Sequence, residues 1–261
     1  MSPSFPGDTP EPPGSVPGDT PEPPGIKPGQ PWGTEASGPA DFEVTGGDGM
    51  LASVLVRGMA DPLVHFAAGR DSDLARAVGL VAGAEPTGVA LPLDVLDVAA
   101  SNGFEQITAD QVHDSGPRRA TVVAVNSVVV GPAPDRLRTW HRPAGLTVEI
   151  DGVPVEAGAA TTLVVMNGQY LRGLDVSPRG HPGDGVAEAQ LYALPPAARR
   201  AMRARLATGA HLPHPAITIR RARHIVVRAA RPVPLEVDGA PAGRVTEVRL
   251  DLRPAAYRLL V

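Results

Sequence analysis

Apolar and polar positions change rhythm twice along the chain. Residues 1–39 carry almost no apolar positions, and Pro6-Gly7-Asp8-Thr9-Pro10-Glu11-Pro12-Pro13-Gly14 recurs identically from Pro17 to Gly25. A tract of this kind buries too little to fold and is expected to be disordered or polyproline-like. From residue 40 short apolar runs alternate with glycine turns. Phe42-Glu43-Val44-Thr45 reads as the end of a strand, Met50 to Val56 as a helix, Asp61 to Ala67 as a second strand, and Asp71 to Leu80 as a second helix stopped near Gly79. Strand, glycine turn, helix, repeated, is the rhythm of a parallel α/β sheet.

Beyond residue 92 the period shortens toward two. Ala120 to Val125 is an unbroken apolar run within a predicted strand region, Arg119–Gly131. Leu146 to Val155 alternates about Asp151-Gly152, which predicts a hairpin. Ile217–Arg228 and Leu235–Leu252 repeat the alternation, and Ala256–Val261 reads as a last strand. Pro92 to Val98 is predicted to be a strand crossing between the two parts, within the poorly patterned segment 81–118. The expected fold class is therefore α/β plus β: a truncated nucleotide-binding α/β domain over residues 40–91, then an antiparallel β-sandwich domain over 92–261.

Composition narrows the function classes. The chain has 261 residues, a net charge of −4 and no cysteine, so cysteine-based metal sites are excluded. No stretch approaches the 18 apolar residues of a membrane span, and no basic-then-apolar leader opens the chain, so a cytoplasmic protein is expected. Lys27 is the sole lysine and lies in the tail, which excludes a P-loop or protein-kinase lysine. From Pro195 onward thirteen arginines face four acidic residues. That imbalance suits peripheral contact with an anionic membrane surface. Arg199, Arg200, Arg203 and Arg205, on a helix predicted over Ala197–Ala207, read equally as a solvated face. With hardly any aromatics for stacking, nucleic acid is not an expected partner. His211 and His214 are three apart, but Pro213 and Pro215 break any helix that would align them on a metal.

The strongest chemical candidate is the loop Gly46-Gly47-Asp48-Gly49-Met50. Glycines permit a tight turn and close backbone approach to a ligand, and the helix start behind them offers N–H groups to a phosphate. Asp48 in such a turn can orient Mg²⁺ or a hydroxyl. A plain strand-to-helix turn is the alternative for this motif by itself. About twenty residues on, Ala68-Gly69-Arg70-Asp71-Ser72-Asp73-Leu74-Ala75-Arg76 supplies a second glycine loop.

With both loops in this order, the chain resembles the diacylglycerol kinase catalytic family, which includes bacterial lipid kinases and sphingosine kinases. Met50 stands where most members have threonine, as in sphingosine kinases. Arg70 and Ser72 replace threonine and asparagine, while Gly69, Asp73, Leu74, Ala75 and Arg76 match. Further matches follow at Asn167-Gly168-Gln169-Tyr170, at Ser177-Pro178 with Gly183-Asp184-Gly185, and at Val237-Asp238-Gly239-Ala240-Pro241, so the resemblance spans about residues 40–261. It implies ATP and Mg²⁺ as cofactors, held by Gly46, Gly47, Gly49, Met50, Gly69 and Asp73. It also implies a lipid substrate such as diacylglycerol at the seam of the two domains, Asp48 as the catalytic base, and Asp184 at a structural magnesium site.

Two departures bear on catalysis. The family's glutamate after Asp-Gly is Ala240 here, which takes no proton; general-base help is worth about 10²–10⁴-fold in rate. Family members also open with strand–helix units that residues 1–39 cannot supply, so the sheet is expected to keep an open edge, covered by a second copy in a homodimer or by another partner. The residues leave three readings: an ATP-dependent lipid kinase, a degenerate member that binds nucleotide, lipid or a partner without efficient turnover, and an unrelated β-rich binding module.

Overall fold

Unbroken apolar runs form strands buried on both faces, and alternating runs form hairpins, as the patterning of the chain requires. The computed structural model describes residues 34–36, 38–56, 59–81, 83, 88–101, 113–114 and 120–261. The proline repeat and Lys27 lie outside the described residues.

The first layer is α/β. Strand β1 (Thr34–Glu35) is followed by β2 (Phe42–Gly46), α1 (Asp48–Leu55), β3 (Leu63–Ala68) and α2 (Asp73–Ala77). β2 lies parallel to β3, with Phe42 opposite Val64 and Gly46 opposite Ala68. Leu51, Ala52 and Leu55 of α1 pack with Val44, Phe66 and Leu74. Burial of each large aliphatic side chain contributes about 1.5–3 kcal/mol. Helix α2 is short because Gly79 takes a left-handed φ of +76° just beyond it.

The remaining strands are β4 (Val89–Ala100), β5 (His113–Asp114), β6 (Ala120–Ala124), β7 (Ser127–Val130), β8 (Leu146–Ile150), β9 (Val153–Val155), β10 (Thr162–Met166), β11 (Tyr170–Leu171), β12 (Leu174–Asp175), β13 (Ala187–Tyr192), β14 (Ile217–Ala222), β15 (His224–Val237) and β16 (Ala240–Leu260), with helix α3 (Arg199–Arg205) between β13 and β14. β14, β13, β10, β7 and β15 pair in that order, all antiparallel. Every residue of β7 and β10 is buried. β15 shifts register between Arg228 and Val233, so its first half pairs β8 and its last residues pair β7. Strands that change sheets through such irregularities are how a sandwich turns its corners. Between the sheets lie Leu96, Val98, Leu163, Val165, Ile225, Leu235 and Leu250.

Strand β16 joins the two parts. It pairs antiparallel with β15, then with β4, and its last residues Arg258–Leu260 lie parallel to β3. The change of partner falls at a bulge between Arg253 and Tyr257, where Ala255 has φ +46° and Pro254 removes a ladder donor. The buried Asp94 of β4 accepts the Ala255 N–H at 2.8 Å and the Gly185 N–H at 2.7 Å, which holds the bulge and the Pro182–Gly185 loop together.

The structure corrects three expectations. The segment expected as a separate last strand over Ala256–Val261 is, through Leu260, the end of one long strand, since the Asp94 clamp lets the chain bend without stopping. Thr34 and Glu35, assigned to the tail, pair with Ala90 and Val89 of β4 and extend the ordered sheet. Arg199 belongs to the interior, with 2% exposure, because carbonyl groups of a neighbouring loop receive its guanidinium. Among the described residues no helix is long and apolar enough to cross a membrane.

Candidate functional site

Four segments distant in sequence meet around a cleft of about 570 Å³. Its lining includes Gly47, Asp48 and Gly49 from the first loop, Arg70 to Asp73 from the second, Arg172-Gly173 from the β11–β12 turn, and Asp238-Gly239 from the β15–β16 turn. Two buried carboxylates, Asp48 and Asp73, and the half-buried Asp238 assemble these pieces. Asp48 accepts the Ser72 hydroxyl at 2.5 Å and the Leu74 N–H at 3.2 Å, tying the start of α1 to the start of α2. Ser72 in turn caps α2 by accepting the Ala75 N–H at 3.0 Å. Asp73 accepts the N–H groups of Arg172 and, at 2.7 Å, Gly173. Asp238 accepts those of Val125, Asn126 and Ser127 at 2.8–2.9 Å, fixing the β6–β7 turn beneath the cleft.

Glycine is needed at the tip of the β15–β16 hairpin. Asp238 and Gly239 have φ of +47° and +77°, the paired left-handed conformation of a two-residue hairpin turn. At Gly69 the constraint is closeness: its N–H donates to the Gly46 carbonyl at 2.7 Å, and an added Cβ would lie 3.2 Å from that oxygen. An added Cβ at Gly47 meets nothing, so this residue faces open space in the cleft.

Burial raises the Asp48 carboxyl above the usual range, and the Ser72 and Leu74 donors only partly offset it. Burial likewise pushes Asp238 up to about 7, with the nearby Asp48 charge adding to the shift and the three N–H donors opposing it. Arg172 bonds Asp135 and, at 2.6 Å, Glu236, while Arg136 reaches Glu236 at 3.2 Å, so this cation is neutralised from behind. Arg76 lies 5.4 Å from the Tyr170 ring centroid and donates to the Gly173 carbonyl at 3.1 Å. Arg70 is exposed at the cleft, and among the described residues no carboxylate pairs with it.

The structure brings most of the expected site residues together. Gly47, Asp48, Gly49 and Asp73 line the cleft, and Gly46 and Gly69 join its two loops. Met50 points outward, 54% exposed, with Gly46 under its side chain at 3.1 Å from a would-be Cβ. Asp184 is not in the cleft. Its carboxylate accepts the Val186 N–H at 3.2 Å, and among the described residues no three or more acidic or histidine side chains gather as a metal cage. Ala240 stands exposed beside Gly49, Ala52, Val56, Val122 and Val237, on a small apolar recess next to the cleft. Glu236, four residues before Ala240, is turned away and held by the arginines. Sequence reasoning missed Arg172 and the stapling role of Asp238. The signal for the second was its place before glycine in a hairpin; Arg172 had none, since its acceptors Asp135 and Glu236 lie 37 and 64 residues away.

Residues 130–261 match the family model described as the YegS C-terminal NAD kinase beta sandwich-like domain. No curated protein matches the chain in sequence. Among solved structures, a diacylglycerol kinase from Bacillus anthracis str. Sterne is similar with a TM-score of 0.58 and 16% identity, over 84% of this chain and 75% of that one. A presumed diacylglycerol kinase from the same strain reaches 0.60 with 14% identity, over 84% and 76%. Yeast NADH kinase in complex with NADH follows at 0.45 and 14%, over 84% and 60%. The first two share the fold: an α/β part joined to a β-sandwich.

Proposed function

The chain belongs to the family of the YegS C-terminal NAD kinase beta sandwich-like domain, and from that premise we propose that it is a diacylglycerol kinase-like phosphotransferase, using ATP to phosphorylate a lipid hydroxyl. One observation carries the reading: both glycine loops and the Asp238-Gly239 turn converge on one cleft. The start of α1 has no side-chain cap, as suits a backbone that receives phosphate. Arg70 adds positive charge where no lysine is available. Phosphoryl transfer depends mostly on positioning and charge stabilisation, and these groups supply both.

The residues present fit Mg²⁺ borne by the phosphates. Mg²⁺ favours one or two carboxylates together with phosphate oxygens and water, and Asp71 is the cleft carboxylate with no bonding partner among the described residues. When bound, the ion would neutralise charge on the transferring group. Asp48 is the candidate base, since its raised carboxyl holds a proton more readily than an exposed one. A lipid hydroxyl would approach along the apolar recess beside Ala240.

A second reading, binding without efficient turnover, is favoured by two facts: both Asp48 oxygens already accept hydrogen bonds, and Ala240 offers no base. Incubation with labelled ATP, Mg²⁺ and diacylglycerol in mixed micelles separates the two. The kinase reading expects labelled lipid, abolished in Asp48→Ala. Lipid labelling at the level of a protein-free blank, with ATP still raising the melting temperature, selects the binding reading.

A further inference from the structure

A second pocket, of about 290 Å³, opens where β15 loses register, and it shares no lining residue with the cleft. Arg142, Arg231 and Arg244 form its rim, with His141, Thr161 and Val233 deeper in. No carboxylate lines it, and among the described residues none of the three arginines is in an ion pair. Arg231 donates one N–H to the Pro143 carbonyl at 3.3 Å, and Arg244 one to the Pro232 carbonyl at 2.6 Å. These bonds position the guanidiniums and leave most of their five donors for a ligand.

Behind this rim lies a fourth cation. Arg199, 2% exposed, donates to the carbonyls of Leu194 at 3.1 Å and of Arg138 and His141 at 2.6 Å, and to the Thr161 hydroxyl at 3.2 Å. Every acceptor is neutral, so its charge is hydrogen-bonded but not cancelled, in a place where uncompensated charge is costly. Two of those acceptors, His141 and Thr161, are residues of the pocket wall. His141 itself accepts the Arg138 N–H at 3.0 Å through Nδ1, and burial with the Arg199 and Arg138 charges disfavours its protonation. The pocket thus concentrates positive potential with no internal counter-charge.

We propose that this pocket is a binding site for a phosphate group, separate from the nucleotide cleft. Guanidinium groups bind tetrahedral oxyanions through paired N–H donors, and three of them around one opening match an anion with several oxygens and more than one charge. The phosphate comes either from a soluble phosphate ester or from the headgroup of an anionic lipid. Trp140, 72% exposed, has its ring centroid 6.0 Å from that of the pocket residue His141; it would lie at a membrane interface in the second case and reports on the pocket in both.

The test uses the full chain carrying Trp32→Phe, so that Trp140 is the sole tryptophan and is excited selectively. Pyrophosphate is expected to change its emission saturably, with affinity weakened about tenfold or more in Arg142→Gln/Arg244→Gln and unchanged in Arg70→Gln, a cleft variant. Both rim arginines are exposed, and circular dichroism checks that the double variant folds. Phosphatidylglycerol vesicles that blue-shift Trp140, in a way the double variant loses and phosphatidylcholine vesicles do not reproduce, identify the source as a lipid headgroup. A pyrophosphate response with no vesicle shift identifies it as soluble phosphate. No response to either probe overturns the proposal, as does a response that persists in the double variant or is lost in Arg70→Gln. The lipid-labelling reaction is read separately, so failure here leaves the proposed activity to its own test.

Discussion

In the cleft, each of three carboxylates collects backbone N–H groups from a distant segment: Asp48 from α2, Asp73 from the β11–β12 turn, Asp238 from the β6–β7 turn. At the arginine pocket the buried charge is Arg199, and it collects carbonyls from the loop before β8 and from the segment just after β13. Both arrangements assemble irregular backbone around an ionisable group. They differ in what is left over. The carboxylates face a cleft that also holds Arg70, Arg76 and Arg172, so opposite charges meet there; the arginine pocket has cations only. A cleft with both signs can bind a ligand carrying phosphate and metal together, whereas a pocket with one sign fits an anion.

The contrast is broken or sharpened by substitution. The largest effect is expected from Asp238→Ala, which leaves three buried N–H groups without their acceptor. Each orphaned donor costs about 1–3 kcal/mol, so unfolding free energy from urea titration should fall by roughly 3 kcal/mol or more. A loss under about 1 kcal/mol would mean that Asp238 is not a staple.

An intermediate effect concerns pH. The Asp238 carboxyl titrates near 7 when folded, above its ordinary value of 3.8, so folding favours its protonated form. Its contribution to stability is complete below the ordinary value and is lost as pH rises through about 7. Because the Asp48 charge adds to this shift, Asp48→Asn should move the decline to lower pH. Urea midpoints measured from pH 4 to 8 for both proteins check the direction; superimposable profiles would remove the coupling.

The smallest effect is expected at Gly69. Its added Cβ meets the Gly46 carbonyl at 3.2 Å, so Gly69→Ala should part the two loops slightly, costing about 1 kcal/mol. Under the proposed function it should also weaken the rise in melting temperature that ATP is expected to produce. Gly47→Ala meets no atom within 4 Å and should leave stability nearly unchanged. Equal behaviour of the two variants would show that the loop contact does not shape the cleft.

Local chemistry was well legible. The turns Asp151-Gly152 and Asp238-Gly239 both take positive φ at both residues, as their composition demands. The second glycine loop falls between β3 and α2 where the pattern placed it, whereas in the first only Gly47 lies between strand and helix, because β2 runs through Gly46 and α1 already starts at Asp48. What stayed hidden was set by pairing across long separations. Nothing near Arg199 announces that carbonyls some sixty positions away will draw it inside, and its neighbours Arg200 and Arg205 do remain exposed. Nothing near Pro254 shows that Asp94 will hold a bulge there and let one strand serve both parts.

The chain's own pattern determined which segments become strands, helices and turns, because those choices rest on φ preferences and on apolar spacing within a few residues. It also determined the candidate loops, since glycine and aspartate carry their conformational consequences wherever they occur. Only the tertiary structure decided which acids became staples, which arginine was buried and which were left to form a pocket. Those outcomes depend on desolvation and on donors supplied from elsewhere in the chain, and neither is a property of the residue that bears the charge.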